Sequence, residues 1–106
     1  MKAVIAWWDL AGSTQTVASL RTALHRDGVE DWASIPGLVS KFWFSDPVAG
    51  RWGAVMVFAS ADHARLPLPP NRAAALIGRP PTVRLVGDVE ALVTGPAVPE
   101  GDRPWQ

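Results

Sequence analysis

The chain has no cysteine among its 106 residues. That excludes a disulfide framework, thiol catalysis and thiolate metal sites. It also lacks net charge: ten basic residues balance ten acidic ones, and neither half is markedly basic. Nucleic acid and anionic membranes therefore meet no electrostatic attraction. Long hydrophobic runs are missing. Met1-Lys2 leads only into AVIAWW, which Asp9 ends, too short for the apolar region of a secretory signal or for a bilayer span. The expectation is a cytoplasmic protein. No glycine-rich phosphate loop is present, because Gly50-Arg51-Trp52-Gly53 precedes a strand rather than a helix. There is no Gly-x-Ser-x-Gly element, and Ser40 is a lone strand hydroxyl. The two histidines, His25 and His63, are far apart with no carboxylate at ligand spacing, so no metal motif forms. No repeat or low-complexity block appears.

Tyrosine is absent as well, yet there are six tryptophans, and 48% of the residues are apolar. An aromatic surplus of this kind fits a ligand pocket or a protein interface, with plain core filling as the equal alternative. The length sets a single domain. Such a chain buries roughly two-thirds of the surface it exposes unfolded, enough for one core.

The hydrophobic pattern lays out four strands and two helical regions, the second of them interrupted. Lys2 to Trp8 reads as a strand, apolar throughout, as expected where both faces are covered. Ser13 or Thr14 is placed to cap a helix from Gln15 to Arg26, where Val17, Leu20, Ala23 and Leu24 recur at helical spacing. Gly28 ends it, and Trp32 in the following stretch points inward. Leu38–Phe44 and Trp52–Phe58 form a hairpin around the Asp46-Pro47 and Gly50 reversal, with Ser45 to Arg51 as its loop. Ala59 to Leu66 reads as a short helix that Pro67, Pro69 and Pro70 interrupt. Asn71 to Ile77 is a second one, closed by Gly78. Thr82 to Val89 is the last strand. The order β-α-β-β-α-β matches the ferredoxin-like split unit, an antiparallel sheet with helices on one face. Residues 1–95 form this α+β domain, and residues 96–106 form a tail of Gly, Pro and charge. Strands so apolar would leave the second sheet face greasy in a monomer. A homodimer with two sheets face to face is expected, with Trp105 anchoring the tail on the partner.

Lysine inside the hairpin is the chemical anomaly. Alternation puts Lys41 and Trp43 on one face and Phe42 and Phe44 on the other. An ammonium in apolar surroundings needs a partner. Asp88, Asp9 or Asp46 supplies it in one reading; in the other, Lys41 stabilises negative charge on a substrate oxygen. Arg84 and Asp88 share a face of the last strand and read first as an ion pair. His63, following Asp62 near the strand ends, is the better histidine for acid–base work.

One succession of residues has a likeness. Pro36-Gly37-Leu38, Lys41-x-Trp43, a polar turn, Gly53 with the apolar run to Phe58, Ser60-x-Asp62 opening a helix, and late Asp88-Val89 with Leu92 resemble the YdhR-type mono-oxygenase family. That family belongs to the dimeric α+β barrel superfamily, which also holds antibiotic-biosynthesis monooxygenases. The likeness runs from about Pro36 to Gly95. Two places depart from it: the Leu66-Pro67-Leu68-Pro69-Pro70 interruption, and Gly53-Ala54 where paired glycines are expected. The resemblance implies a dimer of ferredoxin-like units, each with a mostly apolar cavity. It implies cofactor-independent oxidation of an electron-rich aromatic or enolisable small molecule in specialised metabolism, with no cofactor and no metal. In that reading Trp7, Trp43 and Trp52 line the pocket, Lys41 or Arg84 holds the oxyanion, and His63 accepts the proton. The same superfamily leaves two alternatives: a cyclase, isomerase or decarboxylase using acid–base groups alone, and a non-catalytic binder of haem-like ligands.

Overall fold

A computed structural model describes residues 1–69 and 71–97. Four strands, β1 (Lys2–Asp9), β2 (Leu38–Asp46), β3 (Arg51–Phe58) and β4 (Val83–Asp88), alternate with helical segments. These are α1 (Val17–Ala23), α2 (Ala61–Ala64) and α3 (Arg72–Ile77). The sheet is antiparallel throughout, in the order β2-β3-β1-β4. This α+β arrangement is compatible with the ferredoxin-like topology, the second helix being split into α2 and α3 by the proline run. The tail contact expected through Trp105 lies outside the described residues.

Register sorts the side chains. Trp8 lies opposite Trp52, Ala6 opposite Ala54 and Val4 opposite Met56, so these six share one face of the sheet. On β2, Trp43 is opposite Ala54 and Lys41 opposite Met56, which puts both on that same face. The core lies here: Trp8, Leu10, Leu20 and Trp52 form a buried cluster, with Val17, Leu24 and Trp43 packed against it.

Helix α1 starts later than expected. Ser13 accepts from the Gln15 amide and organises the loop instead. The cap is Thr16, whose hydroxyl accepts from the Ser19 amide at 3.1 Å while Ser19 Oγ accepts from the Thr16 amide at 2.9 Å. The helix also ends early, widening into a π turn over Leu24–Gly28. Gly28 is buried there, and a Cβ on it would lie 3.0 Å from Leu24 Cδ1. A short 3₁₀ turn, Glu30–Trp32, then buries Trp32.

The hairpin is tighter than the sequence indicated. Both strands extend to leave Pro47–Gly50 as the turn. Asp46 Oδ1 accepts from the Ala49 amide at 3.0 Å, and Gly50 takes a φ of 70° that a side chain would strain. Pairing slips between Leu38 and Ser40, a bulge at the strand entry. Helix α2 is shorter than the expected Ala59–Leu66, because Ser60 caps it by accepting from the His63 amide, and Pro67 disfavours helix in the residue before it. Asn71 caps α3 and Gly78 ends it at φ 79°, as the pattern indicated.

Candidate functional site: an indole-walled cavity with a desolvated lysine

Between the sheet and the helical layer lies a cavity of about 270 Å³. Its origin is a size mismatch. Ala6 and Ala54 are neighbours at mid-sheet and leave a hollow. Trp8, Trp43 and Trp52 stand around that hollow on the same face. Leu20 and Leu24 close it from α1 and the π turn, and Leu68, Asn71, Arg72 and Leu76 close it from the proline run and α3. The walls are thus mainly hydrocarbon and indole, and Lys41 and Arg72 are the charged residues among them.

Trp8 is held firmly. Its Nε1 donates to the Arg79 carbonyl at 2.9 Å, and the Arg79 guanidinium donates to the carbonyls of Asp9 and Ala11. The indole keeps its polar end satisfied while its ring is almost fully buried. This clasp ties the exit of α3 to the end of β1, fixing one wall of the cavity.

Lys41 is the chemical feature. Its Nζ lies 3.1 Å from the centroid of the Trp32 ring and 4.7 Å from that of Trp43. Among the described residues it has no ion-pair partner. The three acids considered for it are engaged elsewhere: Asp88 with Lys2 at 2.5 Å, Asp46 in the hairpin turn, and Asp9 with the Ala11 amide. The expected salt bridge therefore does not form, and neither does an Arg84–Asp88 pair. Indole faces attract the ammonium but do not replace its lost water. Burial pushes the Lys41 pKa down from 10.5 to about 8. Lys41 also lines a shallower outer groove with Val29, Leu38 and Val39, so its amine stands between cavity and surface.

Three of the residues singled out in the sequence, Lys41, Trp43 and Trp52, are brought together here. Three are not. Trp7 faces away, opposite Gly53 and Val83 on the outer face of the sheet, because alternation forces adjacent Trp7 and Trp8 to opposite sides. Arg84 lies exposed on edge strand β4, outside the lining. His63 is turned into a local structure: its Nδ1 is 2.8 Å from Ser60 Oγ, and its ring occupies the space above Gly37. It does not line the cavity, so the acid–base role expected of it there has no geometric basis. Trp8, Met56, Asn71 and Arg72 belong to the site without having been singled out for it. Trp8 was legible in principle, since it shares the parity of Val4 and Ala6. Nothing local marks Arg72, which reaches the cavity only through the docking of α3.

Compared with known protein families and with characterised proteins, the chain matches none of them.

Proposed function

We propose that the protein is a cofactor-independent monooxygenase of specialised metabolism, acting in the cytoplasm as a homodimer on a small phenolic or enolisable aromatic. One observation carries the reading: a desolvated lysine amine, flanked by two indoles, on the wall of an apolar cavity. A flat apolar ligand fits walls of this composition, and a cavity near the lower end of small-molecule sites suits a small one. The proton-accepting role moves from His63 to Lys41. With a pKa near 8, a fraction of the amine is neutral at physiological pH and accepts the acidic proton of the substrate. The resulting ammonium then holds the phenolate or enolate, with Arg72 as a second cation on the opposite wall. The substrate carbanion reduces dioxygen. A CH₂ becomes C=O, one oxygen atom enters the product and the other leaves as water, so the substrate supplies all four electrons.

The homodimer rests on the outer face of the sheet. Phe42 and Leu85 are 55% exposed there, beside the half-buried Ile5, Trp7, Phe44 and Val55. A second copy meeting it sheet to sheet would cover the patch.

Dioxygen uptake on addition of an anthrone-type phenol tests the reading. The expected result is one O₂ consumed per substrate, with kcat falling about 100-fold in Lys41→Met. Conversion under strict anaerobiosis would instead identify an acid–base cyclase, isomerase or decarboxylase. Saturable quenching of tryptophan fluorescence without turnover would identify a binding protein.

A further inference from the structure

The lysine inventory sharpens what the site can do. The chain contains two lysines, Lys2 and Lys41. Lys2 is committed to Asp88 at the sheet end. Lys41 has neither carboxylate nor hydrogen-bond acceptor among the described residues, only the faces of Trp32 and Trp43. It stands where the apolar cavity and the outer groove meet, so a ligand can approach it from the groove and lodge its body in the cavity.

From this placement we infer that Lys41 is a nucleophilic amine that captures small aromatic aldehydes or ketones as a Schiff base, the carbonyl carbon at Nζ and the ring against Trp43 and Trp52. Three physical requirements of an imine-forming lysine are met together. The amine must be neutral for part of the time near physiological pH, and burial achieves that. It must not be locked in an ion pair, and among the described residues it is not. The iminium must be kept from hydrolysis, and walls of indole and leucine limit water around it. Charged groups facing the amine across the cavity reduce to Arg72 on α3, and the outer groove contributes no further charge. The step balances. The nitrogen lone pair forms a C–N bond, and the carbonyl oxygen takes up protons and leaves as water. The cationic C=N⁺ then keeps the positive charge that the ammonium carried. Trp32 and Trp43 remain beside that cation, so the contact that held the ammonium also holds the product. No oxidant is needed, and the inference does not depend on the oxygenase reading.

Reductive trapping tests it. The full chain is incubated under nitrogen with benzaldehyde and cyanoborohydride across pH 6 to 10, then digested and mapped by mass spectrometry. Expected is a benzyl adduct at Lys41 at least tenfold above that at Lys2 and the Met1 amine. Labelling should saturate with aldehyde concentration and rise in rate with pH through about 8. Benzyl alcohol should suppress it by competing for the cavity. Lys41→Arg keeps the cation and should abolish that adduct; circular dichroism of the variant checks that it folds. If Lys41→Arg does not fold, Trp43→Leu in the wild-type lysine background should cut Lys41 labelling severalfold while leaving Lys2 unchanged. Labelling spread evenly over the three amines would overturn the inference. So would aldehyde bound, as seen by tryptophan quenching, with Lys41 unmodified. An aldehyde adduct with no oxygen uptake on phenols would overturn the oxygenase alone.

Discussion

At the scale of single residues, Lys41 sets the character of the site, and Gly37 makes room for the His63 ring outside it. Lys41 pays for its place in the wall: below pH 8 its buried charge opposes folding. Because its folded pKa of about 8 lies below the ordinary 10.5, the unfolded chain binds more protons between those values. Stability should therefore rise as pH increases from about 8 to 10.5. Lys41→Met should remove that rise and stabilise the protein at pH 7. The gain should be on the order of 1 kcal/mol, since the half-buried head of Lys41 keeps part of its hydration and the variant gives up its two cation–π contacts. Urea unfolding at pH 7 and pH 10 measures both effects. Gly37 is the second position. It holds φ 78°, and the His63 ring fills the space a side chain would enter. Gly37→Ala combines left-handed strain with a steric conflict, and a loss of about 2 kcal/mol or more is expected in thermal or urea unfolding. His63→Ala in that background should recover part of it, because the conflict is with the ring.

At the scale of elements, the short helices are held by their caps. Helix α3 has six residues, too few to persist alone. Asn71 Oδ1 accepting from the Ala74 amide at 3.0 Å and Gly78 at the other end define it. Asn71→Ala should cost about 1 kcal/mol. It should also weaken ligand affinity measured by tryptophan quenching, because Arg72 and Leu76 reach the cavity on this helix. Gly53 plays a different part in β3. A Cβ there would lie 2.6 Å from Phe44 and 2.7 Å from Trp7. The residue is small because the Ala6 carbonyl oxygen, 2.5 Å from that position, and the side chains of Phe44 and Trp7 leave no room for a Cβ.

At the scale of the whole molecule, the described residues leave one face of the sheet under helices and the other uncovered. The dimer proposed above predicts that Phe42→Lys combined with Leu85→Lys yields a folded monomer. Sedimentation velocity at micromolar concentration should show the wild type at twice the monomer mass and the double variant at one. A wild-type monomer would remove the dimer and leave the outer face exposed. Among the described residues no helix is long and apolar enough to cross a membrane.

Local chemistry determined much of this protein in advance. Apolar runs bounded by turn residues placed each strand to within about two residues, and Asn71, Gly78 and the hairpin's Asp46–Gly50 reversal marked their own ends. These signals are local, carried by backbone conformation and side-chain period, and a linear sequence contains them fully. Alternation also paired Lys41 with Trp43 and separated Trp7 from Trp8. Tertiary structure decided which side of that separation meets the helices, and hence that Trp8 rather than Trp7 walls the cavity. It decided where the candidate charges went: Asp88 to Lys2, His63 to the turn at Gly37, Arg84 to an exposed edge, and Lys41 to two indoles. Each of these outcomes depends on groups brought together from distant parts of the chain, by strand register and helix docking. No period or propensity within one segment encodes that proximity.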